Sequence, residues 1–141
     1  MSKILSGMAI SASGLSAERL RMEVVAGNIA NAHSVGSRPG EAYRRQQVSF
    51  QSMLNATGDG PPFGGVRVAG VSQDQSPLPM VFDPGHVAAN DDGFIELPNV
   101  QIPMELVDLV TASRAYEANL KSLQIFRQMA EESLTLLRGL G

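Results

Sequence analysis

Hydrophobic residues near the start of the chain recur with a heptad rhythm. Positions 4, 8, 11, 15, 18, 22, 25 and 29 alternate in steps of four and three. Six of them are apolar: Ile4, Met8, Leu15, Met22, Val25 and Ile29. This spacing is typical of the contact face of a coiled coil, so it predicts a long helix that packs against another helix.

The same rhythm returns near the other end of the chain. It runs through Leu106, Leu109, Ser113, Tyr116, Leu120, Leu123, Arg127, Ala130, Leu134 and Leu137. A further stripe lies beside it: Phe126, Met129, Ser133, Leu136 and Leu140. Two amphipathic helices of a small globular core are the ordinary explanation of such patterns. One partner helix cannot cover both stripes, however, so the pattern favours a bundle built from several chains.

Glycines weaken the first predicted helix. Gly7, Gly14 and Gly27 lie inside it, and each costs about 1 kcal/mol relative to alanine in a helix interior. The helix therefore depends on packing for its stability. The missing side chains also allow a second helix to approach closely.

The middle of the chain has a different character. Residues 34–103 contain all eight prolines and nine of the fourteen glycines, which excludes long helices there. Short alternating segments predict strands near residues 48–50, 66–68, 80–82 and 94–97, with a turn at 90–93 and a loop at 55–65. We therefore expect a mainly α protein whose N- and C-terminal helices pair as a coiled-coil hairpin, with a small irregular β region between them. The predicted domains are 1–33, 34–98 and 99–141.

Composition excludes several classes of function. A net charge of −3 argues against nucleic acid as the main partner. The chain contains no cysteine, so disulfides and thiolate metal sites are excluded. No apolar stretch approaches the roughly 18 residues of a membrane span, so a membrane-embedded protein is not expected.

Candidate catalytic residues are few. The two histidines, His33 and His86, have none of the spacings of metal, phosphate-binding or nucleophile motifs. We expect His86 in a turn and His33 just past a helix end. The sequence therefore predicts no enzyme, no cofactor, no metal and no small-molecule substrate.

Several separate strings resemble one family. These are Gly27 to Ala32, Tyr43 to Gln46, Asp83 to His86, Asp92 to Phe94, Pro98 to Val100, and Ser113 to Asn119. Together they are similar to bacterial flagellar basal-body rod proteins, and the chain length is similar to that of the proximal-rod type. The motif residues that carry the resemblance are Asn28, Asn31, Tyr43, Arg44, Arg45, Pro98, Asn99, Ser113, Arg114, Glu117 and Asn119.

The resemblance implies a structural subunit of the periplasmic rod. Its partners would be copies of itself, other rod proteins and the flagellar type III export apparatus. Export would proceed without a cleaved signal peptide, which agrees with a start of the chain that matches such a peptide poorly. The expected assembly interface comprises Ile4, Met8, Leu15, Met22, Val25, Ile29, Leu106, Leu109, Tyr116, Leu120, Leu123, Phe126, Leu134 and Leu137.

Two alternatives stay open at this point. Another subunit of the rod and hook family would share some of the strings, but hook and distal-rod proteins carry larger inserted domains. A cytoplasmic coiled-coil adaptor would share the heptads alone.

Overall fold

Two long helices lie towards the two ends of the chain. The computed structural model describes residues 1–53 and 64–141. Helix α1 spans Ser2–Ala30 and helix α2 spans Ile102–Gly139. Helix α2 begins just after Gln101, whose carbonyl oxygen accepts the backbone N–H of Glu105 at 3.0 Å. These helices confirm the two helical segments that the heptads predict.

Four strands occupy the described part of the middle. Strands β1 (Gln46–Ser52) and β2 (Val66–Gln73) form one two-stranded sheet, and strands β3 (Met80–Phe82) and β4 (Phe94–Glu96) form another. Strands β3 and β4 are antiparallel, with Val81 opposite Ile95. All four predicted strands are therefore present. The predicted loop at 55–65 lies, up to residue 63, outside the described residues.

A turn before β4 confirms the prediction for residues 90–93. The Asn90 side-chain oxygen accepts the backbone N–H groups of Asp92 and Phe94 at 3.1 and 2.9 Å. Gly93 has φ +83°, a left-handed conformation that favours glycine. His86 also lies in a turn, as expected, because its Nδ1 accepts the backbone N–H of Ala88 at 3.0 Å.

The chain divides into two compact units. The first unit comprises Met1–Leu20, Ser49–Gly70 and Thr111–Gly141, and the second comprises Arg21–Val48 and Val71–Val110. Each unit contains part of both helices and part of the middle. The domain boundaries 1–33, 34–98 and 99–141 stay predictions.

Small residues mark the helix pairing in the first unit. A Cβ atom added to Gly7 would lie 2.5 Å from the Phe126 ring, and one added to Gly14 would lie 2.7 Å from the Asn119 side chain. The two glycines therefore let α1 and α2 approach closely, as predicted. The prediction does not hold for Gly27, where an added Cβ would meet nothing within 4 Å. Ala17 and Ala112 are also buried in this unit.

Polar residues mark the pairing in the second unit, where Asn28 on α1 contacts Glu105 on α2. On α1, these contacts are made by Gly7, Gly14 and Asn28. Each of these described residues stands one position before a member of the predicted stripe: Met8, Leu15 and Ile29. The line of closest approach is thus displaced from the apolar stripe at these positions. Much of the apolar stripe remains half-buried beside that line.

Candidate functional site

A buried polar cluster joins the two helices in the second unit. Asn28 is completely buried, and its amide makes four hydrogen bonds. The side-chain nitrogen donates to the Gln46 carbonyl at 2.8 Å and to Glu105 Oε2 at 3.1 Å. The side-chain oxygen accepts the Tyr43 hydroxyl at 2.8 Å and the Gln46 backbone N–H at 2.9 Å. The hydrogen-bonding capacity of this amide is therefore fully used.

The carboxylate of Glu105 is the second buried member. Glu105 is also completely buried. Its Oε1 accepts the Arg45 Nε–H, so the carboxylate is held between a guanidinium and an amide. The other Arg45 nitrogens lie 3.6 Å from Asp74 Oδ2 and 3.3 Å from Asp108 Oδ2. A buried charge needs such partners, because desolvation alone would disfavour it.

Asn99 fixes the backbone next to this ion pair. Its Oδ1 accepts the backbone N–H of Arg45 at 2.7 Å, and its Nδ2 donates to the Asp74 carbonyl at 3.1 Å. The Asp74 backbone N–H in turn donates to the Arg45 carbonyl at 2.8 Å. We call Asn28, Tyr43, Arg45, Asn99 and Glu105 the Asn28 cluster.

The cluster shifts the acid–base properties of its members. Burial, followed by the nearby Glu105 charge, raises the pKa of Tyr43. The hydrogen bond to Glu105 raises the pKa of Arg45. At the edge of the cluster, hydrogen bonds from the Ser76 hydroxyl and backbone, aided by Arg45, lower the pKa of Asp74. Each shift stabilises the form that the hydrogen bonds need: a neutral phenol, a guanidinium and a carboxylate.

An open cleft of about 380 Å³ lies beside the cluster. Asp74, Pro98, Met104 and Asp108 line part of it. Within the described residues, no group of three or more His, Asp or Glu side chains is arranged to hold a metal ion. The polar groups of the cluster instead bond one another, an arrangement suited to holding segments together.

Several predicted motif residues meet in the Asn28 cluster. Asn28, Tyr43, Arg45 and Asn99 are brought together from distant parts of the sequence. Arg44 lies beside them, and its Nη1 donates to the carbonyls of Asp74 and Ser76 at 3.4 and 3.3 Å. Asn31 bonds locally, with Nδ2 donating to the Gly27 carbonyl at 2.9 Å. Pro98 is buried and lines the cleft.

Sequence reasoning missed Glu105, Asp74 and Asp108. Glu105 precedes Ala112, Asn119 and Phe126 by seven, fourteen and twenty-one positions. Those three positions are buried or half-buried in the structure. The heptad spacing of these mixed residue types, and not hydrophobicity, is the signal that could have found Glu105.

The motif residues on α2 belong to the first unit and are not members of the Asn28 cluster. Asn119 packs against Gly14 in the first unit, and its Nδ2 donates to the Ala115 carbonyl at 2.9 Å. Ser113 is half-buried, whereas Arg114 and Glu117 are exposed. Although Arg114 and Glu117 are three positions apart on one helix, the structure gives no ion pair between these two described residues.

The predicted interface residues are mostly incompletely covered in the single chain. On α1, Val25 is buried, whereas Ile4, Met8, Leu15, Met22 and Ile29 are half-buried. On α2, the half-buried members are Leu109, Tyr116, Leu123 and Phe126. The exposed members are Leu106, Leu120, Leu134 and Leu137. Their role in assembly stays a prediction.

Two separate parts of the chain match families of flagellar basal body rod proteins. Residues 8–36 match the family described as flagella basal body rod protein. Residues 91–136 match the C-terminal family of the flagellar basal body rod FlgEFG proteins. Within the described residues, no helix combines the length and apolar character that crossing a membrane requires.

Individual relatives match over nearly the whole chain. The flagellar basal-body rod protein FlgC of Borreliella burgdorferi is 37% identical over 96% of this chain and 99% of its own length. FlgC of Salmonella typhimurium is 40% identical over 90% of this chain and 92% of its own. FlgC of Bacillus subtilis is 37% identical over 90% and 93%, respectively. The chain therefore belongs to the FlgC family of flagellar basal-body rod proteins and is a structural subunit of the rod.

Proposed function

We propose that this subunit assembles with copies of itself and with other rod proteins through its terminal helices. The resulting helical tube would transmit torque and form part of the export channel. The subunit would reach the periplasm unfolded, through the flagellar type III apparatus, and without cleavage. The proposal does not require an enzymatic activity.

The observation that carries this proposal is the uncovered apolar surface of α2. In the first unit, Leu134, Leu136 and Leu137 of α2 are between 47% and 71% exposed, and Leu140 just after the helix is 86% exposed. In the second unit, Met104, Leu106, Val107 and Val110 are also exposed. Contiguous exposed apolar residues are typical of surfaces that bind other proteins. Burying them against neighbouring subunits would stabilise the assembly by the hydrophobic effect.

The geometry of a tube follows from the type of contact. A self-complementary patch closes a dimer, whereas a contact between two different surfaces adds subunits without limit when the rotation does not close. Two apolar stripes on one helix provide two different surfaces. This favours an open helical assembly over a closed dimer.

Leu120→Asp tests the proposal. Leu120 is 37% exposed in the single chain, so the subunit should still fold. In the tube, the new carboxylate would be buried without a partner, at a cost of several kcal/mol, on the order of a buried unpaired charge. We expect cells that secrete the variant, fail to incorporate it into basal bodies and do not swim. Basal-body recovery, secretion and swimming are the measurements.

Gln124→Asp is the matched control, because Gln124 is an exposed polar residue on the same helix and gains the same charge. It should assemble normally. Equal loss of assembly in both variants would assign the defect to added charge and not to a buried apolar contact. Normal incorporation of Leu120→Asp would refute the interface assignment.

A further inference from the structure

The contacts between the two helices recur at heptad intervals on both sides. Gly7 faces Phe126. Gly14, seven residues further along α1, faces Asn119, which lies seven residues back along α2. Asn28 and Glu105 continue the same series after a further fourteen residues on each helix. Because both helices repeat with the same period, a slide of one heptad brings similar faces together again.

The two glycine contacts of the first unit do not exclude every slid register. In one slid register, Gly7 would be level with Asn119 and Gly14 with Ala112. A glycine accepts either neighbour, and Ala112 is smaller than the Asn119 that Gly14 meets now. Steric fit at the glycines therefore permits at least one wrong alignment.

Asn28 has no acceptable place in a slid register. In the register just described it would be level with Pro98, which precedes α2. In the opposite slide it would be level with Ala112, whose side chain has no polar group. Either slide separates Asn28 from Glu105 and disrupts a completely buried amide that now makes four hydrogen bonds. A buried polar group without partners is strongly disfavoured.

We propose that the Asn28–Glu105 hydrogen bond determines the register of α1 against α2. Tyr43 and Gln46 hold the Asn28 amide in its orientation, and Arg45 holds the Glu105 carboxylate. Other alignments would then leave buried polar groups without partners, whereas the glycine contacts alone would tolerate at least one of them. A single buried polar residue fixes register in this way in coiled coils.

Cysteine cross-linking tests the register directly, because the chain contains no native cysteine. The native register places Ser11 level with Ser122, and the two slid registers place it level with Ala115 or Met129. Three purified full-length reporters carry Ser11→Cys together with Ser122→Cys, Ala115→Cys or Met129→Cys. With Asn28 present, the Ser122→Cys reporter alone should form the intramolecular disulfide efficiently.

Asn28→Leu in these reporters should raise cross-linking in a slid pair by about tenfold or more, since the polar penalty on the wrong alignment is removed. Asn119→Leu is the matched control. It makes the same chemical change at a heptad position of the contact line, but the Asn119 amide bonds within its own helix. This control should keep the native disulfide alone.

Three results would overturn the proposal. The first is native cross-linking alone, at the original rate, in Asn28→Leu. The second is equal slippage in Asn119→Leu. The third is loss of helical circular dichroism in both Asn28→Leu and Asn28→Ala, because Asn28 would then be needed for folding and not for the choice of register.

Discussion

The two compact units pair the same two helices by different means. In the second unit, the helices are joined by hydrogen bonds and ion pairs among Asn28, Arg45 and Glu105. In the first unit, side chains of α2 instead pack into the space left by Gly7 and Gly14. Directional bonds specify partners, whereas shape complementarity at glycines permits close approach and specifies less.

Apolar residues of α2 are exposed in both units, whereas the buried side chains differ. In the first unit, Leu134, Leu136 and Leu137 in the last turns of α2 are exposed, and so is Leu140 just after the helix. In the second unit, the largest completely buried side chains among the described residues are polar: Asn28 and Glu105. Polar groups therefore specify which segments of this subunit pair with each other. Much of its apolar surface remains available for neighbours.

Removing Arg45 should break the second unit most severely. Arg45→Ala leaves the completely buried Glu105 carboxylate with the Asn28 amide as its hydrogen-bond partner in the Asn28 cluster. The substitution should therefore lower the free energy of unfolding by about 3–5 kcal/mol. Urea denaturation followed by circular dichroism measures the loss.

The adjacent Arg44→Ala is the matched control. Arg44 donates to two backbone carbonyls, so its loss should cost about 0.5–1.5 kcal/mol. Equal destabilisation by the two substitutions would show that the Glu105 ion pair has no special importance in this unit.

Adding a side chain at a glycine position tests shape complementarity in the first unit. A Cβ at Gly14 would lie 2.7 Å from the Asn119 side chain, so Gly14→Val should destabilise the chain by about 1–3 kcal/mol through overpacking. A Cβ at Gly27 would meet nothing within 4 Å. Gly27→Val should therefore be close to neutral. Thermal unfolding of the two variants gives the comparison, and a neutral Gly14→Val would mean that close approach is dispensable.

Acidification should have the smallest effect, at the edge of the second unit. The pKa of Asp74 is lowered from its ordinary value of 3.8, so its ionised form stabilises the folded state above that pH. This contribution is lost as the pH falls through the lowered pKa. Unfolding midpoints from pH 6 downwards should fall less steeply in Asp74→Asn than in the original chain. If the unfolding midpoints of the two proteins fell in parallel with pH, the Asp74 carboxylate would not contribute to stability in this way.

Secondary structure was largely predictable from the sequence, because its causes are local. Heptads mark α1 and α2, prolines and glycines exclude helices between them, and short apolar alternations mark the strands. The turn before β4 was predictable because an asparagine side chain can accept backbone N–H groups in a turn and a glycine can adopt a left-handed φ, as Asn90 and Gly93 do here.

The contact line between the helices was less predictable. Hydrophobic periodicity selects the most apolar stripe, but here closest approach uses Gly7, Gly14 and Asn28, each one residue before a stripe position. A chain whose apolar residues also serve neighbouring molecules does not place all of them inside. The stripe therefore identifies helices better than it identifies their internal faces.

The polar cluster was predictable only in part. Asn28, Tyr43, Arg45 and Asn99 emerged from family resemblance, which indicates importance without indicating contact. Glu105 did not emerge, since an acidic residue in the first turn of a helix is ordinarily a solvated one near the helix dipole. Its burial depends on Arg45, sixty positions away, and no local pattern carries that information.

The hydrogen bond between Asn28 and Glu105 also sets an order of events in time. These residues are 77 positions apart, so their contact closes a long loop and is slow to form compared with local helix formation. A chain that emerges end first, from a ribosome or through a narrow channel, cannot make this bond until both residues are outside. Until then, helical turns can form and dissolve, but α1 has no fixed alignment against α2. The subunit thus acquires its final geometry only after most of the polypeptide has left the ribosome or channel.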